Sequence, residues 1–265
     1  LAGDIFDGDC CDTATGEFFL AGLDRLQEVG TRVVLVYGNH DAECRVTRRL
    51  HLPGHVHRLA TDRPETLVFE HLGVAVHGQS YARTAVWDNL ARDYPPPLAD
   101  LLNIGLLHTN AIGYVDDPLY APCTVEELVA KDYAYWALGH IHWSQVLHED
   151  PWVVYPGNLQ ARYMQEAGPK GCALIESQEQ EIHSVEHRLL DVVRWTQVYV
   201  QAQTGDRTDE VLGWVRAGLQ RAREEAQGRP VVAEVVIEHT RSGHNSWPAD
   251  YTAWKCGGAW SLKYM

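Results

Sequence analysis

Arg32-Val33-Val34-Leu35-Val36-Tyr37 runs straight into Gly38-Asn39-His40-Asp41. The first six residues are mostly apolar and valine-rich between Gly30 and Gly38, the pattern of a buried strand. The next four form turns and carry a carboxamide, an imidazole and a carboxylate. In α/β sheets, ligand sites gather in the loops at the carboxyl ends of strands. The same arrangement recurs along the chain. GDIFDGD spans Gly3 to Asp9, Ile104 to Leu107 leads into His108 within LLHTN, and Tyr135 to Leu138 ends in Gly139-His140-Ile141-His142. Four apolar strands thus end at Asp4, Asn39, His108 and His140, which sets the fold class as α/β.

Working outward, Glu17 to Val29 has helical spacing of apolar residues and a stop at Gly30. Leu67 to His77 alternates as one or two strands around Gly73. Thr124-Val125-Glu126-Glu127 is a capping box that starts a helix through Lys131. Trp152 to Tyr155 and Cys172 to Ile175 are further strands, separated by the turn Pro156-Gly157-Asn158. A second unit begins at Arg194. Arg194 to Gln203 alternates, Val211, Val215, Leu219, Ala222 and Ala226 form a helical stripe, and Arg229 to Ile237 alternates again: a βαβ unit. The expected organisation is a first domain over 1–193, a partial second over 194–240, and an irregular tail over 241–265 with no assigned role.

Composition narrows the function. The 265 residues are 45% hydrophobic and 22% charged, which is the balance of a globular chain. A formal net charge of -14 excludes a basic coat for non-specific nucleic-acid binding. It leaves room for a nucleic-acid enzyme whose positive charge arrives as metal. No stretch approaches the roughly 18 apolar residues of a membrane span. The six cysteines are scattered without a CxxC pair, which argues against a disulfide framework and for a reduced, cytoplasmic protein. The start, Leu1-Ala2-Gly3-Asp4, lacks a methionine and the features of a signal peptide. It reads as a longer protein cut inside a strand.

The fourteen histidines carry most of the chemistry. Asp4, Asn39, His108, His140 and His142 supply a carboxylate, a carboxamide oxygen and three imidazoles at strand ends. Such mixed N/O ligation suits manganese, iron, zinc, cobalt or nickel. Period-two alternation places His140 and His142 on one side of an extended segment. A single carboxylate can bridge two ions about 3.5–4 Å apart, the clamp used on phosphoryl groups. Each piece alone has a plainer reading: GD and GNHD as turn chemistry, His108 as a strand-end histidine bonded to backbone. Four such pieces in order, each at a strand end, point to a metal site.

This combination of GDxxD, GNHD and GHxH resembles the calcineurin-like metallophosphoesterase superfamily. The longer strings GDIFDGDCCDTATGEFF, VAVHGQSYA, NIGLLHTN, YAPCTVEEL, YWALGHIH and YPGNLQAR followed by GPKG are similar to the SbcD branch of DNA-repair nucleases, its YhaO-type proteins in particular. The resemblance covers Leu1 to Glu176 well and the βαβ unit more loosely. It implies a four-layer α/β/β/α sandwich with the start of a small α+β capping domain. It makes Asp4 the bridging ligand, with Asn39, His108 and His140 completing one metal site and His142 joining Asp4 at the other. His40 becomes the phosphate-contacting or proton-donating residue, oriented by Asp41, and Asp7 lies near the phosphate. His77 faces either the cleft or the strand packing; Arg162 binds either phosphate or Glu166.

The family opens with an Asp-x-His motif on its first strand, which is absent here. The expectation is therefore one divalent ion bound well, the second poorly, and weak or no activity for this chain. The implied function is a metal-dependent DNA phosphodiesterase, an exonuclease with possible endonuclease activity, in which a hydroxide on two ions, manganese above all, attacks phosphorus. The implied partners are DNA, an SbcC-like coiled-coil ATPase and a second copy of the chain, with no membrane. Two alternatives are a phosphoesterase on small phosphoesters or cyclic nucleotides, and a non-catalytic scaffold for the ATPase.

Overall fold

The computed structural model describes residues 1–7, 12–111, 120–203 and 205–239. In chain order these form α1 (Thr13–Glu28), β1 (Val33–Leu35), α2 (Asn39–Glu43), α3 (Arg45–Arg49), β2 (Val56–Arg58), β3 (Glu65–Phe69), β4 (Val74–Gln79), β5 (Leu102–His108), α4 (Val125–Val129), β6 (Tyr135–Gly139), β7 (Gln145–Glu149), β8 (Trp152–Tyr155), β9 (Gly171–Gln178), β10 (Glu181–Leu189), β11 (Arg194–Ala202), α5 (Thr208–Glu225) and β12 (Val231–His239). The expected tail over 241–265 lies outside the described residues. The elements build two compact units, one of Leu1–Gly157 with Ala173–His187, the other of Asn158–Cys172 with the chain from Arg188 on.

The first unit is organised by a six-stranded mixed sheet in the order β3-β4-β5-β6-β8-β7. Its four inner strands run parallel, while β3 and β7 are antiparallel at the two edges. A smaller parallel pair, β1 with β2, is extended by a bridge between Ala2 and Val36. The two sheets share a core in which Val36 and Leu59 meet Val76 and Leu106. On the far side of β1 and β2, Leu23 of α1 packs on Val33, Leu35 and Val56. On the other face of the large sheet, Leu107, Trp136, Leu138 and Tyr155 pack with Leu128 of α4. The pleat of β5 therefore sorts its residues. Leu106 points between the sheets and Leu107 toward α4, so His108 continues the inter-sheet face.

Local chemistry sets the helix ends. Helix α1 starts at Thr13, four residues before the apolar stripe that announces it, because the Asp12 side chain accepts a hydrogen bond from the Ala14 amide at 3.0 Å. It stops where Gly30 takes φ 76° and returns its N–H to the Gln27 carbonyl. The Thr124 capping box is present as expected, although α4 ends at Val129. Among the described residues no helix is long and apolar enough to cross a membrane.

In the second unit, β11 and β12 pair in parallel register from Arg194↔Val231 to Ala202↔His239, with α5 between them in sequence. Val198, Val200, Val211, Ala222 and Val235 form its core. This is the βαβ element that the alternation around the helical stripe announces; the unit also takes in Asn158–Cys172. Among its described residues it buries two carboxylates. Asp191 accepts hydrogen bonds from Arg194 at 2.6 and 3.1 Å, with Arg229 at 3.4 Å. Glu166 is held by the Arg162 guanidinium at 2.9 Å, the Arg162 amide and Asn158. Of the two readings of Arg162, the pair with Glu166 is the one formed.

Candidate metal centre

Two parallel pairs of strands aim their carboxyl ends at one point. In the small sheet, the segment through Ala2 lies beside Val36, so Asp4 and Asn39 emerge as neighbours. In the large sheet, His108 ends β5 opposite Gly139 of β6, so His140 emerges beside it. Ligand atoms of Asp4, His108 and His140 all lie within 4.8 Å of one another. The His108 and His140 rings stand 5.3 Å apart at 72°.

The donor set fits a cation. His108 is fully buried, and its Nδ1–H donates to the Ala2 carbonyl at 2.8 Å, which leaves a lone pair on Nε2. That nitrogen faces Asn39 Oδ1 at 2.9 Å and Asp4 Oδ2 at 3.4 Å. Three acceptors thus converge with no proton among them, an arrangement that a divalent ion satisfies. Burial holds both histidines uncharged. It lowers the His108 pKa against the pull of Asp4, and it drives His140 down to about 3, with His108, His142 and His40 adding to the shift.

Backbone geometry shows how tightly these loops are set. Asp4 has φ 53° and His140 φ 100°, left-handed values that cost energy outside glycine and cluster at functional sites. Gly38 and Gly139 allow the approach. A Cβ on Gly139 would strike the Ala2 carbonyl oxygen, and one on Gly38 would strike Asp4 Oδ1 and lie 2.6 Å from His108 Cε1. The left-handed turn at His140 also corrects the period-two reading of GHIH. Strand β6 ends at Gly139, so alternation no longer governs His142, which stays outside the three-residue cluster.

Asp41 does different work from that expected of it. Its carboxylate accepts hydrogen bonds from the Ile5, Phe6 and Gly38 amides at 3.0 to 3.2 Å, tying the Asp4 loop to the Asn39 loop, and not from the His40 ring. The short reach to three amides across the turn explains this. Burial pushes its pKa up to about 6, against the pull of those amides. The His40 ring has its Nδ1 3.6 Å from Asp7 Oδ1, and its backbone amide donates to Asp4 Oδ1 at 3.0 Å. His77 is packed rather than facing a cleft. It bonds Thr66 and Asn103 and stacks on Tyr133. Sequence reading missed two aromatic walls, Tyr120 against His140 at 4.3 Å and Tyr81 edge-on to His108 at 5.3 Å. Tyr81 lies in the string HGQSYA, but nothing in its spacing announces a ring contact.

No family model matches the chain. It is 32% identical over 244 residues to the uncharacterized metallophosphoesterase YhaO of Bacillus subtilis, covering 91% of this chain and 59% of that protein. It is 27% identical over 184 residues to the DNA double-strand break repair protein Mre11 of Methanopyrus kandleri, covering 60% of this chain and 38% of that protein. The chain thus spans under two thirds of either relative. The mixed α/β architecture, the strand-end ligand cluster and the likeness along nine tenths of the sequence agree, and on them the chain is similar to metallophosphoesterases.

Proposed function

We propose that this chain is the catalytic part of a metal-dependent phosphodiesterase that acts on DNA. The convergence of Asp4, Asn39, His108 and His140 as uncharged or anionic acceptors carries the reading. In it, these four residues would hold one divalent ion and His142 would join Asp4 at a second, with manganese taken as the ion from among those the mixed ligand set suits. Bound there, the ions would supply a nucleophile from water at neutral pH and take up charge on the phosphoryl oxygens. His40, with its Nδ1 toward Asp7, donates a proton to the departing oxygen, and Asp7 helps to seat the phosphate. Asp41 keeps the two loops in register.

The three stacked cores support a four-layer sandwich over 1–193, and the parallel βαβ element supports the start of a capping domain over 194–240. The DNA substrate is favoured by the repair protein among the relatives. An SbcC-like ATPase, a homodimer and a cytoplasmic setting complete the proposal.

The test offers linear duplex DNA, p-nitrophenyl phosphate and its bis-ester to the manganese-loaded complete protein. The expected result is digestion of DNA, lost about 10²–10⁴-fold in His40→Ala with manganese affinity kept. Turnover of the monoester alone points instead to small phosphoesters. Metal binding without any hydrolysis points to a scaffold.

A further inference from the structure

One buried group at the centre has no protein partner among the described residues. Tyr81 is 1% exposed, and its hydroxyl makes no hydrogen bond among the described residues. Buried phenols nearly always bond, so an orphan calls for an explanation, often an absent ligand. Its position is firmly set. The Tyr81 amide donates to the Tyr37 carbonyl at 2.9 Å. The Ser80 hydroxyl accepts from the Tyr37 amide at 3.0 Å and donates to the Leu59 carbonyl at 2.7 Å. The ring packs with Val86 and Ala121 and stands edge-on to His108. The Asp4 carboxylate acts on the hydroxyl from nearby, and Tyr155, Cys123 and Tyr120 are the other ionisable groups around it. Tyr155 and Cys123 are engaged elsewhere. Tyr155 donates to the Thr109 carbonyl and accepts from the Ala111 amide, and Cys123 sits 3.2 Å from the Thr109 hydroxyl.

We propose that the Tyr81 hydroxyl is a phosphate-binding group, donating a hydrogen bond to a phosphoryl oxygen seated against the Asp4 and His108 cluster. The inference rests on the phosphodiesterase reading and adds to it a residue that the motif residues do not include. The phenol brings a donor without a charge. The cluster of acceptors at Asp4, Asn39 and His108 thereby gains a neighbouring contact that recognises the anion.

The test is Tyr81→Phe, which keeps the ring and removes the donor. Three quantities are measured by calorimetry and thermal melting: manganese affinity, affinity of the manganese-loaded protein for inorganic phosphate, and melting temperature without metal or phosphate. The expected result is phosphate binding weakened about tenfold, manganese affinity within twofold, and a metal-free melting point no lower than wild type, because the hydroxyl has nothing to lose. Unchanged phosphate affinity overturns the proposal. So does a parallel fall in manganese affinity, which would make the hydroxyl a positioner of the metal or its water. A lowered melting point or failure to fold overturns it too, by revealing a protein partner. A wild-type protein that holds manganese yet neither binds phosphate nor cuts phosphodiesters defeats the phosphodiesterase reading itself. A wild type that does both, with Tyr81→Phe its equal, defeats only this inference.

Discussion

Both compact units draw carboxylates out of open solvent, fully buried in the second and partly buried at Asp4 in the first, and they treat them in opposite ways. In the second unit Asp191 and Glu166 are closed off by guanidinium groups: Arg194 and Arg229 on one, Arg162 on the other. In the first, Asp4 meets a backbone amide, a neutral imidazole nitrogen and, beyond it, a carboxamide oxygen. One cluster carries its own cations; the other gathers lone pairs and leaves the positive charge to come from outside. The difference separates a buried charge that holds structure from one that is available for chemistry.

The comparison breaks most visibly at Asp191. Asp191→Ala strands two arginines beside an empty acceptor, and urea unfolding should show a loss of about 3–5 kcal/mol. Rescue by added manganese should be nil. Asp4→Asn is the counter-case. It keeps shape and tolerates the left-handed backbone, so the metal-free protein should melt at or above the wild-type temperature, while calorimetry shows manganese affinity reduced by about a hundredfold. A metal-free melting point several degrees lower would mean that Asp4 is structural after all.

Acidity sharpens the same contrast more gently. The folded-state pKa of His140 lies at about 3 and that of His108 is also lowered, so between the ordinary imidazole value and those values the unfolded chain binds more protons. Stability is therefore full above about pH 6.5 and falls as pH drops below it. Asp41, raised to about 6, acts with the opposite sign over part of that window, since its folded form takes a proton first. His77, whose pKa burial also lowers, acts with His108 and His140, and three histidines against one carboxyl give a net loss. Denaturation midpoints of the metal-free protein should decline from pH 7 to pH 5, whereas His140→Asn should flatten the slope. A midpoint rising on acidification would contradict the burial of neutral imidazoles.

Much of this was legible in the sequence because it depends on short-range pattern. A valine-rich run ending in GNHD, the Thr124 capping box and the helical stripe from Val211 each announce their elements. Other strands left no such trace. The three residues of β2 are too few to show a period, and β7 is a largely polar edge strand with a bulge between Val146 and His148. At the centre, Asp4, Asn39, His108 and His140 could be named from their strand-end positions. The contact of Asp41 with three amides, the turn at His140 and the rings of Tyr81 and Tyr120 could not, because each arises only where distant loops meet. Spacing rules describe residues inside an element and lose force one residue beyond its end.

The bond from His108 to the Ala2 carbonyl joins groups 106 positions apart. A centre closed by so remote a partner cannot assemble early on the folding path, since loop closure and parallel strand pairing must come first. Capture of a metal ion should therefore mark the last stage of maturation, and a chain nicked between the two sheets would lose its grip on the ion before it lost its helices.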